Sequence, residues 1–201
     1  MSLTVVALTF ASIFVVELPD KTFIAALVLS TRYRGLLVWI GVGLAFMVQT
    51  LIAVSVGKAV TFLPTDLVHG VAGVIFLVGA FLLLREAPKA DAEEQETEDE
   101  FAAKATTTRT GFAAITASFL VLFAAEWGDL SQLLTISLVG RYDDPVAVFL
   151  GAWGALLAVS GIAVVSGRFL LRHVRLSVIH YVGAAVCLML AGVTAYELLG
   201  G

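Results

Sequence analysis

Six long apolar runs, at roughly 3–30, 36–62, 67–84, 112–139, 146–168 and 178–199, constrain this chain more than any other feature. A helix needs about 20 apolar residues to cross the hydrocarbon layer of a bilayer. Every run meets that length or comes close, and the first and fourth are the longest. The runs are continuously apolar instead of alternating, so the strands of a membrane barrel are a poor reading. With 60% hydrophobic and 14% charged residues and a mean hydropathy of +1.00, the chain has far too much apolar surface for one soluble core. The expected fold class is all-α: a polytopic membrane protein of six transmembrane helices.

The chain also repeats itself. Glu17, Asp20, Thr22, Arg32 and Tyr33 match Glu126, Asp129, Ser131, Arg141 and Tyr142 at a constant offset of 109. In the second spans Gly41, Ala45, Gly57 and Lys58 match Gly151, Ala155, Gly167 and Arg168 at 110, and in the third His69, Val71 and Ala80 match His180, Val182 and Ala191 at 111. The one-residue slips fall in loops, where insertions cost little. Each unit has three spans, an odd number, so the second unit enters the membrane from the opposite side. The expected plan is two inverted three-helix repeats, residues 1–85 and 111–201, joined by a linker at 86–110.

Lys and Arg set the orientation. One face carries Arg32, Arg34, Arg85, Lys89, Lys104, Arg109, Arg168, Arg172 and Arg175; the other has only Lys58 and Arg141. Nine against two puts the first face in the cytoplasm, with the linker, and both termini outside. The linker holds eight of the sixteen acids, between Glu86 and Glu100, which accounts for the net charge of -4. Its dense like charge and few apolar residues predict a disordered, solvated tether, or else an antechamber that attracts cations or a regulatory segment. Nothing resembles a basic nucleic-acid surface. The one cysteine, Cys187, lies inside the last span and excludes dithiol chemistry within a chain. No basic region opens the chain as in a cleavable signal. Short loops and no targeting extension suggest a prokaryotic inner membrane.

The chemistry resides in FVVELPDKTF and FAAEWGDLSQ. Glu17 and Asp20 are three residues apart, on one helical face near the middle of the first span, and Glu126 and Asp129 repeat the spacing and the depth. A charge at the bilayer centre costs at least about 2.5–3.5 kcal/mol, so four unpaired carboxylates would penalise the fold by roughly 10 kcal/mol. They must face the interior and be compensated by cations, protons or Lys21. Inversion would bring both pairs together at the midplane, with Thr22, Ser131 and Gln132 close by in sequence. These are hard oxygen donors, suited to Ca²⁺, Mn²⁺ or Mg²⁺ and not to soft metals.

Other positions are candidate modulators or packing residues. Pro19 and Gly128 occupy equivalent places and could either free backbone carbonyls as ligands or simply kink their helices. Lys21, four residues after Glu17, is either a tethered cation that competes with substrate or a structural ion pair; its counterpart is Leu130. Gln49 reads as an interhelical hydrogen-bond former ahead of a ligand. His69 and His180 read as interfacial. Gly41, Gly43, Gly151 and Gly154 should allow close helix packing, and Trp39 and Trp153 read as packing residues.

ELPDKT and EWGDLS resemble the paired E-x-G-D-[KR]-[TS] motifs of the transmembrane protein 165 (Gdt-type) family. The resemblance covers the whole chain: two motifs, six spans, inverted halves and an acidic central linker. Pro19 replaces the motif glycine in the first copy and Leu130 the motif basic residue in the second. The resemblance implies exchange of Ca²⁺ or Mn²⁺ for protons, with Glu17, Asp20, Glu126 and Asp129 as the cation and proton sites and Thr22, Ser131 and Gln132 in support. The expected function is therefore a secondary-active exporter of Mn²⁺ or Ca²⁺ from the cytoplasm in exchange for protons, by alternating access. It would be no enzyme and have no cofactor; its partners are the cation, protons and the bilayer, with homo-oligomerisation open. Alternatives are an exporter of a small organic solute with a similar repeat plan, or a passive cation channel. An intramembrane aspartyl protease is disfavoured, because the chain has no Gly-x-Gly-Asp string.

Overall fold

A computed structural model describes residues 2–18, 21–60, 62, 64–104, 111–173 and 176–200. Among them the chain is all helical: α1 (Leu3–Glu17), α2 (Lys21–Arg32), α3 (Gly35–Val60), α4 (Thr65–Glu86), α5 (Ala90–Lys104), α6 (Phe112–Ala125), α7 (Leu130–Tyr142), α8 (Pro145–His173) and α9 (Leu176–Gly200). Helices α3, α4 and α8 are each long and apolar enough to cross a membrane. The count rises to five if α1 with α2 and α6 with α7 each form one broken span. In α9 the described apolar stretch is His180–Tyr196, shorter than the sixth expected span.

The first and fourth runs, expected as single spans, are each divided into two helices. The bend is 71° between α1 and α2 and 74° between α6 and α7. The physical cause is visible at the second break, where Gly128 has φ +82, a left-handed conformation that ends a helix and that glycine adopts without steric cost. Pro19, at the equivalent place in the first, lies outside the described residues.

In lipid, apolar surface alone does not hold helices together, so close packing of small residues carries more of the association. The pairing here is reciprocal between the halves. Helix α8 crosses α1 at Gly151, where a Cβ would meet the Val6 carbonyl oxygen at 2.6 Å and the Thr9 Cβ at 2.8 Å. Helix α3 crosses α6 at Gly41, where a Cβ would press into the Ile115 carbonyl oxygen and meet the Ser118 Cβ at 2.9 Å. These are the same repeat positions with the halves exchanged. Helices α3 and α8 also pack on each other: the Trp153 indole donates to the Gly43 carbonyl and the Trp39 indole to that of Leu157, both at 3.0 Å. Helices α4 and α9 form a second central pair, with Gly183 against Leu83 and Gly79 near Cys187. Large apolar side chains such as Val71, Leu77 and Phe81 remain exposed around the bundle, as lipid contact requires.

Two junctions are fixed by polar groups. At the start of α8, Asp144 precedes a proline at the first helical position, a favoured helix entry. Its carboxylate accepts from Ser2 N–H at 2.8 Å and Ala147 N–H at 3.2 Å, which tethers the start of α1. Those two donors hold its carboxyl below the usual aspartate range. The acidic 86–110 segment, expected as a tether without regular structure, contains α5. That helix packs against α2 and α9 through buried Ala90 and Phe101, and an exposed Lys104–Glu100 ion pair at 2.6 Å lowers the Glu100 pKa. Residues 105–110 lie outside the described ones.

Candidate metal centre

The two breaks meet inside the bundle. A helix that stops leaves its last carbonyls and the next helix's first N–H groups without intrahelical partners. At the second break, side chains supply those partners. Gln132 Nε2 donates to the Glu126 carbonyl at 2.7 Å, and its Oε1 accepts from Gly128 N–H at 3.3 Å. Gln49 Nε2 reaches across from α3 to the Phe123 carbonyl at 3.1 Å. Asp129 caps α7, its Oδ2 accepting from Ser131 N–H at 3.1 Å. The break is thus a fully built turn that aims two carboxylates inward.

At the first break α1 ends on Glu17, and the Thr22 hydroxyl at the start of α2 donates to Glu17 Oε1 at 2.9 Å. Carboxylate oxygens of Glu17, Glu126 and Asp129, one from each side chain, all lie within 4.8 Å of one another. Glu17 and Glu126 are buried and Asp129 half-buried. Two oxygens on opposite sides of a calcium ion at about 2.4 Å each stand about 4.8 Å apart, so this spacing suits one hard cation held by all three groups. The C-terminal ends of α1 and α6 and the N-terminal ends of α2 and α7 all lie at the cluster, so the helix dipoles oppose one another there and the carboxylates supply the charge that favours a cation.

The expected site residues thus divide. Glu17, Thr22, Glu126 and Asp129 come together. Asp20 lies outside the described residues. Ser131 is buried beside Asp129 with its N–H engaged by that carboxylate. Gln132 and Gln49 are committed to backbone groups, Gln49 in the interhelical bond expected of it. Lys21 is exposed and lines a cavity with Asp129. Residues that sequence reasoning passed over are Thr50 and Thr135, which with Gln49, Ser131 and Gln132 line a void of about 10 Å³ touching Glu126. Their signals were adjacency to Gln49 and the helical spacing of Thr135 from Ser131. On its other side Glu126 lines a cavity of about 440 Å³ shared with Asp129, Lys21, Glu86 and His180.

Comparison with known proteins followed the same division of the chain. The family model described as "Divalent cation/proton antiporter GDT1" matches residues 5–91 and 114–200, one stretch in each half. A GDT1-like protein of Synechocystis is 32% identical over 90% of this chain and 92% of its own length. The chloroplastic GDT1-like protein 1 of Oryza sativa subsp. indica is 30% identical over 96% of this chain, and the chloroplastic PAM71-homolog of Arabidopsis thaliana 32% over 93%. This chain spans 62% of the rice relative's length and 58% of the Arabidopsis relative's. No solved structure matches it.

Proposed function

The chain belongs to the GDT1 family of divalent cation/proton antiporters, and from that premise we propose that it exports Mn²⁺ or Ca²⁺ from the cytoplasm in exchange for protons through the cluster of Glu17, Glu126 and Asp129. The observation that carries this reading is the meeting of acids from both halves at two helix breaks. A site built from hard carboxylate oxygens offers a divalent ion and protons the same atoms, so loading one displaces the other. Thr22 holds the Glu17 carboxylate in place, and Gln132 and Gln49 keep the break open without occupying the acids. Asp20 completes the set by its repeat position.

The membrane arrangement belongs to the same proposal. Six spans, with α1–α2 and α6–α7 each counted as one and α9 as the last, form two inverted repeats of residues 1–85 and 111–201. The membrane is a prokaryotic inner membrane, both termini are outside, and the 86–110 segment is cytoplasmic. The halves rock about the fixed cluster, exposing it first to one side and then to the other.

Purified protein in liposomes with an imposed pH gradient tests the reading. Mn²⁺ or Ca²⁺ flux should follow the gradient, and Glu126→Gln should reduce it to the rate of empty vesicles. Undiminished flux in that variant overturns the carboxylate site. Cation flux indifferent to the gradient would identify a channel, and no cation flux would favour an organic solute.

A further inference from the structure

The cluster is approached very differently from its two sides. On one side the void at Gln49 and Thr50, about 10 Å³, has room for a single water at most. On the other, the cavity of about 440 Å³ follows one face of α4 past Val74, Val78 and Leu82 to Glu86. Twelve residues of helix make that path roughly 18 Å long. At about 30 Å³ per water the cavity has room for about fifteen waters, more than twice a six-water shell around a divalent ion. That volume is enough to hold a divalent cation with its hydration shell.

The charges along the path have an order. Glu86 is exposed at the end of α4, while Leu130, the neighbour of Asp129, packs against Gly79, which places the cluster roughly 10 Å back along that helix from Glu86. Between apolar walls, Lys21 from α2 and His180 from α9 are the other titratable groups that face the space. Low-dielectric walls focus the field of the acids along the cavity and raise the local concentration of cations. The mouth acid is the part of this arrangement that no motif contains.

We propose that this cavity is the water-filled vestibule by which a hydrated divalent cation reaches the cluster, and that Glu86 recruits the cation at its mouth. The proposal rests on the cation-transport reading above and adds to it a recruiting residue outside both motifs.

Two measurements on the full chain in liposomes test it. In a Cys187→Ser background, Val78→Cys should react with a membrane-impermeant, positively charged methanethiosulfonate, and Mn²⁺ should slow the reaction. Glu86→Gln should raise the KM for Mn²⁺ about three- to tenfold at low salt with little change in maximal rate. That is the size of one charge acting on a divalent ion across roughly 10 Å of well-screened medium. The difference should shrink at high salt, where charges beyond a few ångströms are screened. A Val78→Cys thiol that reacts with lipid-soluble N-ethylmaleimide and not with the charged reagent would mean that lipid fills the groove, which overturns the proposal. So would a KM shift that ignores salt. Mn²⁺ protection of Val78→Cys without pH-linked flux would sink the antiport reading and leave the vestibule standing. Normal pH-linked flux with an inert Val78→Cys would do the reverse.

Discussion

Gly128 shows how much of the site depends on one backbone conformation. Its φ of +82 turns the chain between Glu126 and Asp129, and a Cβ added there would meet nothing within 4 Å. An alanine would thus fit in space and cost only backbone strain, about 1–2 kcal/mol. Gly111, with φ +60 and equally open surroundings at the start of α6, is the matched control. Gly128→Ala should lower both thermal stability and cation affinity, whereas Gly111→Ala should lower stability alone; equal effects on cation affinity would show that the turn does not set the carboxylates. That Glu17, Glu126 and Asp129 would come together, with Thr22 beside them, was legible in the sequence, because a carboxylate within an apolar run is too costly to bury unless it is paired or put to use. Which oxygens were already engaged was not legible. Gln132 reads as a donor of ligand oxygen until the break appears, and then its amide is needed by Gly128 N–H and the Glu126 carbonyl.

The helix breaks themselves were only half legible. Proline and glycine at equivalent positions announce a weakness, but whether a helix kinks or stops depends on what satisfies the freed groups, and those partners come from elsewhere in the chain, as Gln49 does from α3. Helix α5 was not legible, because like charge argues for disorder while burial of Phe101 and Ala90 against neighbouring helices argues against it, and only the second is tertiary. The glycine crossings were legible as small residues but not as partners. At Gly151 and Gly41 the opposing atoms include backbone carbonyls, which cannot rotate aside as a side chain can. Gly41→Val and Gly151→Val should each destabilise the protein by about 1–3 kcal/mol or more. Gly192, with nothing within 4 Å of its Cβ position, should accept alanine. Thermal aggregation midpoints in detergent measure the three variants side by side. A valine tolerated at either crossing would mean that the α1–α8 or α3–α6 contact is looser than its geometry.

The reciprocal packing has a consequence for sidedness. If the halves are inverted copies, a vestibule on one face of the membrane implies a counterpart on the other, opened when the halves rock. At the offset of 111 that relates α4 to α9, Glu86 and His180 correspond to Glu197 and His69. The same acid thus stands at the same register near the end of each of these helices. Glu86 and Glu197 would then recruit cations to opposite faces. With the protein inserted in one orientation, Glu86→Gln should raise the KM for Mn²⁺ presented on the face of Arg85, and Glu197→Gln the KM for Mn²⁺ presented on the other. Each variant should leave the opposite face nearly as in the unmodified chain, because a charge at one mouth is more than a Debye length from the other. Both variants acting on one face would contradict the inverted arrangement, since parallel repeats put both third spans the same way up. The comparison needs no knowledge of the transported ion's identity, only that one divalent cation can be presented from each side in turn.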